Sequence, residues 1–161
     1  MNQRLDFLQR KNKGKQKIES YENILVNSGF EIQELEYMDL EKSDEIISQG
    51  QEVFTKVERS FELLRSTNAF IDSDLMRNVY QGLTRFNTCY VFTDDFKYCG
   101  MYRVNARRAF EAAFSIAKND FQNTCFLLDE RMKYFFTINY NDKNHINEPE
   151  TFDIQLRWHA D

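Results

Sequence analysis

Proline is almost missing from this chain: Pro149 is the only one in 161 residues, and glycine occurs five times. Chain breakers this scarce argue against linkers and low-complexity segments and for compact order. Histidine occurs only as His145 and His159, and neither neighbours a cysteine at a ligand-like spacing, so no metal site is expected. Cys89, Cys99 and Cys125 are odd in number and lie in apolar stretches. That pattern suits buried, reduced thiols in a cytoplasmic protein better than a disulfide scaffold. No apolar run nears the ~18 residues of a membrane helix. The N-terminal stretch also lacks the apolar segment of a secretory signal.

Catalytic furniture is missing too. Gly14, Gly29, Gly50, Gly82 and Gly100 are isolated, so neither a P-loop nor a dinucleotide-binding turn can be written, and no cofactor is expected. There is no Gly-x-Ser-x-Gly elbow. Each cysteine sits among apolar neighbours, where burial raises a thiol pKa and makes it inert. Asp94-Asp95 and Asp129-Glu130 are the carboxylate pairs within the aromatic stretch, and both sit in expected hairpin turns. Aspartate is favoured there for local backbone bonding, and a solvated turn tip does not tune an acid for catalysis. A non-enzymatic protein is expected.

What is present is aromatic. Phe occurs 15 times and Tyr 8 times, concentrated between Phe86 and Tyr140. Residues 89–93 and 98–104 read as two strands around a turn at Asp94–Lys97, which would set Cys99 opposite Phe92. Asn105 opens an Ala-rich helix through about Lys118. Residues 125–128 and 132–140 form a second hairpin. Phe152, Ile154, Leu156 and Trp158 alternate with polar residues, a final strand with one wet face and a candidate sheet edge. Before this block, residues 3–28 carry helical spacing, though Gly14 and the basic run 10–17 weaken it and leave residues 1–15 as a loose segment. Residues 30–37 read as a short strand with a one-residue phase slip. Ser43 caps a helix whose stripe runs Ile46, Val53, Phe54, Val57, Phe61 and Leu64. Asp72 or Ser73 opens another, through Leu83. The length fits one domain, residues 1–161. The expected fold is α+β: an antiparallel sheet of about five strands, with N-terminal helices and the Ala-rich helix packed on one face.

The net charge of −5 is unevenly spread. Residues 1–20 carry +4, residues 21–75 carry −9 and residues 76–161 carry zero. The acidic middle third would steer a basic partner, although solvated helix faces are the bland explanation. An overall pI of about 5.2 and a basic run without aromatics oppose nucleic-acid binding. Arg107 and Arg108 break a local rule by standing in the first turn of a helix, with Arg103 just before. Basic charge is unfavourable there by up to ~1 kcal/mol. An internal carboxylate such as Asp94 would compensate, or an anionic ligand bound by Arg103, Arg107 and Arg108.

The aromatic hairpins Tyr90–Phe96 and Phe126–Phe136, with the acidic stretch Glu31–Glu62, give the chain a resemblance to the small immunity proteins of bacterial polymorphic-toxin systems, including contact-dependent growth inhibition. The resemblance implies a protein that binds one cognate toxin domain and blocks its active site or its access to substrate; a monomer or weak dimer is expected. An acidic surface would suit a toxin with the basic cleft of a nuclease. Glu31, Glu34, Glu36, Asp39, Glu41, Asp44 and Glu45 are the candidate surface, with Tyr37 as its aromatic anchor. Two other readings stand beside it. One is a small-ligand or anion pocket, or an enzyme of unfamiliar type, between the Ala-rich helix and the sheet near the three arginines. The other is a structural subunit that self-associates through the last strand around Trp158.

Overall fold

A computed structural model describes residues 2–56, 60–66, 80–81, 87–141 and 151–158. In chain order these form α1 (Gln3–Asn27), a 3-10 turn (Ile32–Glu34), β1 (Glu36–Met38), α2 (Leu40–Phe54) and β2 (Ser60–Ser66). β3 (Thr88–Phe92), the one-turn helix α3 (Phe96–Cys99), β4 (Met101–Asn105) and α4 (Ala106–Asn119) follow. The chain continues with β5 (Thr124–Asp129), β6 (Tyr134–Asn141) and β7 (Thr151–Trp158). The fold is α+β, and every strand pairing is antiparallel. The sheet order is β1-β4-β3-β5-β6-β7-β2, seven strands among the described residues where about five were expected.

Strict alternation along the strands sorts the side chains onto two faces. Cys89, Val91, Tyr102, Val104, Cys125, Leu127, Phe136, Ile138, Phe152, Ile154 and Leu156 are buried together on one face. The alanines of α4 and Tyr21 and Leu25 of α1 complete that core. Alanine lets α4 lie close to the sheet, and Phe110 reaches between to stack on Phe136 at 5.7 Å. The opposite face is apolar only in part. Phe92, Met101, Leu128 and the half-buried Tyr90, Phe126 and Phe135 pack there with Ile46 and Phe54 of α2. α1 and α4 therefore cover one face and α2 the other, a difference from the one-sided layering expected.

α1 is continuous across the segment expected to be loose, because its basic run is used internally. Arg10 grips the Asp44 carboxylate with two bonds of 2.8 and 2.9 Å and donates to the Lys97 carbonyl at 2.7 Å. Lys17 pairs with Asp95 at 2.8 Å, and Lys13 and Lys17 stand over the Tyr98 ring. Gly14 makes this approach possible: a Cβ there would overlap the Tyr98 carbonyl. Further along, Tyr21 donates to the Val91 carbonyl at 3.0 Å and Tyr102 donates to Glu22 at 2.6 Å. Gly29, at φ 109°, closes the helix as the Asn27-Ser28-Gly29 stop implies.

Other expectations change register. The helix after Met38 begins at Leu40, with Asp39 rather than Ser43 as its cap, accepting from Lys42 N at 2.9 Å. It ends at Phe54, and residues 60–66 form a strand against β7. The apolar stripe through Phe61 and Leu64 is thus two elements, since spacing alone does not separate a helix from a short strand. β7 lies between β6 and β2, so it is no edge, and the self-association reading loses its surface. The turn after β3 closes as α3, and β4 starts at Met101, which takes Cys99 out of the strand. Residues 30–37 hold a 3-10 turn before the three-residue β1. The helix expected from Asp72 falls outside the described residues except for residues 80–81, where the Tyr80 ring meets Phe110 edge-on at 5.1 Å.

Candidate functional site

The acidic candidates lie along one border of the sheet, on the 3-10 turn, the terminal strand β1 and the first turns of α2. Most are already occupied. Glu34 accepts from the Glu31 backbone at 2.8 Å, and the Glu31 side chain caps the same turn in return. That backbone bond, helped by Arg108 at 3.2 Å, holds the Glu34 carboxyl below its usual range. Glu36 pairs with Arg103 at 2.8 Å, Asp44 with Arg10 at 2.8 Å and Glu45 with Lys42 at 3.0 Å. Asp39 is the cap of α2. Glu41 has no ion pair among the described residues. Seven carboxylates against Lys42, Arg10, Arg103 and Arg108 still leave three negative charges in excess on this border, before Glu130 adds a fourth.

Two apolar side chains stand out of that charge. Ile32 is 68% exposed and Tyr37 is 42% exposed. Tyr37 rests one flank on Tyr102 at 5.3 Å, and burial against that ring raises its pKa. Ile32 was not among the candidates. Its signal in the sequence is the phase slip between Phe30/Ile32 and Leu35/Tyr37: Phe30 enters the core and Ile32 does not.

The three arginines do not form a common anion cradle, because no two share a partner. Arg103 is held by Glu130, Glu36 and Thr88, and both carboxylates keep its guanidinium firmly charged. Arg107 bonds Glu111 at 3.2 Å on its own helix. Arg108 donates to the Gly29 carbonyl at 2.8 Å and to Glu34. Compensation of the α4 N-terminus is thus internal, but Asp94 is not the compensating group; it accepts from Thr124 Oγ at 3.3 Å.

One turn carboxylate is not a wet tip. Asp129 is completely buried on the α4 side of β5, opposite Cys89, and its Oδ1 finds no hydrogen-bond partner among the described residues. Burial raises its pKa against the backbone donors of Lys133 and Arg131. The three thiols are free and buried; burial pushes Cys99 up to about 11 and Cys89 and Cys125 higher still. No group of side chains able to hold a metal ion occurs among the described residues, and both histidines lie outside them. No described helix is long and apolar enough to cross a membrane. The chain matches no family model, no curated protein and no solved structure, so the site is read from its own chemistry.

Proposed function

We propose that this is a non-enzymatic protein-binding module, an immunity protein of the cytoplasm that neutralises a cognate toxin domain with a basic cleft. The border from Glu31 to Glu45 is the contact surface. The observation that carries the reading is the pair of exposed apolar side chains, Ile32 and Tyr37, inside a rim of excess negative charge. Interfaces concentrate their energy in a few aromatic or aliphatic anchors, while surrounding charge sets the association rate and excludes wrong partners. Tyr37 is well suited: its ring is already braced by Tyr102, so little freedom is lost on binding.

The internal pairs direct the test. Reversing Glu34, Glu36 or Asp39 would break an ion pair or a helix cap, so a loss of binding would be ambiguous. Ile32, Tyr37 and Glu41 are the informative positions. Tagged protein is used to capture partners from its native host at low and raised salt, followed by mass spectrometry. A stoichiometric partner with a basic domain is expected, weakened by Tyr37→Ala at least about 30-fold, the effect of losing ~2 kcal/mol of anchor. Glu41→Lys should slow association, more so at low salt. A partner whose affinity ignores Ile32→Ala, Tyr37→Ala and Glu41→Lys together would move the interface elsewhere. Recovery of the protein alone, from cells containing the toxin, would defeat the immunity reading.

A further inference from the structure

A second surface lies under the C-terminal half of α2, away from the acidic border. Phe92, Phe126 and Phe135, from three adjacent strands, lie face to face there. Their ring planes are 12° to 26° apart, with neighbouring centroids at 5.1 and 5.9 Å. They floor a groove of about 210 Å³, which Phe54 and Gly50 of α2 wall and Arg157 of β7 bounds. A cavity of about 150 Å³ lined by apolar side chains is enough to hold benzene. This one has room for one or two fused rings.

Two features mark the groove as more than imperfect packing. Gly50 stands inside a helix, where glycine lowers stability. No close approach demands it: a Cβ there would meet the Leu128 methyls at 3.5 and 4.0 Å and the Met132 sulfur at 3.9 Å, all ordinary contacts. The missing side chain instead keeps the groove open. The second feature is Arg157. It lies in register opposite Phe135, half-buried at the rim, and has no carboxylate partner among the described residues. Arg10, Arg103, Arg107 and Arg108 each have one. A guanidinium beside an aromatic floor matches a flat ligand that ends in an anion, because it can bond a carboxylate with two parallel N–H donors.

We propose that this groove binds a planar aromatic carboxylate of one or two rings, stacked on Phe126 and Phe135 with its carboxylate on Arg157. The test uses benzoate, naphthoate and the neutral naphthylmethanol as probes, with affinities measured by titration calorimetry and contacts by protein NMR. Saturable binding of an acid at millimolar concentration or below is expected, with shifts at Phe126 and Phe135. Arg157→Met should weaken the acids about tenfold or more, the value of a charge-assisted hydrogen bond, and leave the alcohol within about twofold. Gly50→Leu should abolish binding of both while unfolding cooperatively. If that variant does not fold, the Arg157→Met comparison of acid with alcohol still decides. Absence of saturable binding overturns the proposal. So do equal losses of acid and alcohol in Arg157→Met, unchanged acid affinity in that variant, or full binding by a folded Gly50→Leu.

Discussion

Replacing Gly14 with alanine sets two effects of opposite sign against each other. Helix propensity alone favours alanine by about 1 kcal/mol. At this position, however, a Cβ would lie 2.8 Å from the carbonyl carbon of Tyr98 and closer still to its oxygen. Both atoms are backbone, fixed by α3, whose Cys99 and Gly100 N–H groups donate to the Asp95 and Phe96 carbonyls at 2.9 Å. They cannot swing aside as a side-chain tip would. α1 must back away by roughly an ångström to restore ordinary carbon contacts of about 3.5–4.0 Å. The bonds on either side of the contact, Arg10 to Lys97 at 2.7 Å and Lys17 to Asp95 at 2.8 Å, stretch with it. Overpacking costs about 1–3 kcal/mol before those losses, so the penalty outweighs the propensity gain. A net loss of about 1–2 kcal/mol corresponds to a Tm lower by about 2–8 °C for a chain of this size. Thermal unfolding followed by far-UV circular dichroism reads the sign directly. Gly50→Ala is the control: its Cβ meets an ordinary contact, so its Tm should rise by about 2–4 °C. A Gly14→Ala protein as stable as wild type or more so would refute the close approach of α1 to α3, and with it the ordered state of the basic segment.

Two further changes probe the core. Asp129 has its pKa raised by burial in the folded state, so its contribution is most favourable below the unfolded value near ~4 and falls as pH rises through the folded value. Asp129→Asn should therefore gain stability relative to wild type between pH 4 and pH 7 in urea unfolding; a pH-independent difference would mean the carboxylate is not buried. Phe136 is fully buried and stacked on Phe110, so Phe136→Ala should cost about 3–5 kcal/mol and shift the urea midpoint accordingly; an unmoved midpoint would dissociate α4 from the sheet.

The fold was legible where one signal sufficed. Period-two alternation in residues 132–140 and 152–158 gave β6 and β7, and Asn105 with its following alanines gave α4, capped as expected by Asn105 on Arg108 N. It failed where two signals overlapped. Ile46 to Phe54 and Phe61 to Leu64 keep a helical spacing by coincidence, and the break between them carries no proline or glycine to announce it. Gly14 misleads for a related reason. Its local effect is to weaken a helix, and its actual role depends on Tyr98, which lies 84 positions away in the chain.

The site was less legible, and the cause is the range of its contacts. Asp44, Glu36 and Glu34 look like free surface charge in sequence because their partners lie 34, 67 and 74 residues away. Folding neutralises them and leaves Ile32, Tyr37 and Glu41 as the informative positions on that border. The groove depends on range in the same way, since its three rings come from three strands and alternation does not say which part of a sheet face a helix will cover. α2 joins the two surfaces. Its N-terminal turns are pinned by the Asp39 cap, the Ser43 bond to Met38 and the Arg10–Asp44 pair. Its C-terminal half rests on apolar packing, chiefly Phe54 against Phe135 at 5.7 Å. Directional bonds hold their geometry more tightly than apolar contacts, which are non-directional. Any adjustment to a bound acid is therefore expected at the Gly50–Phe54 end, with the acidic border unchanged.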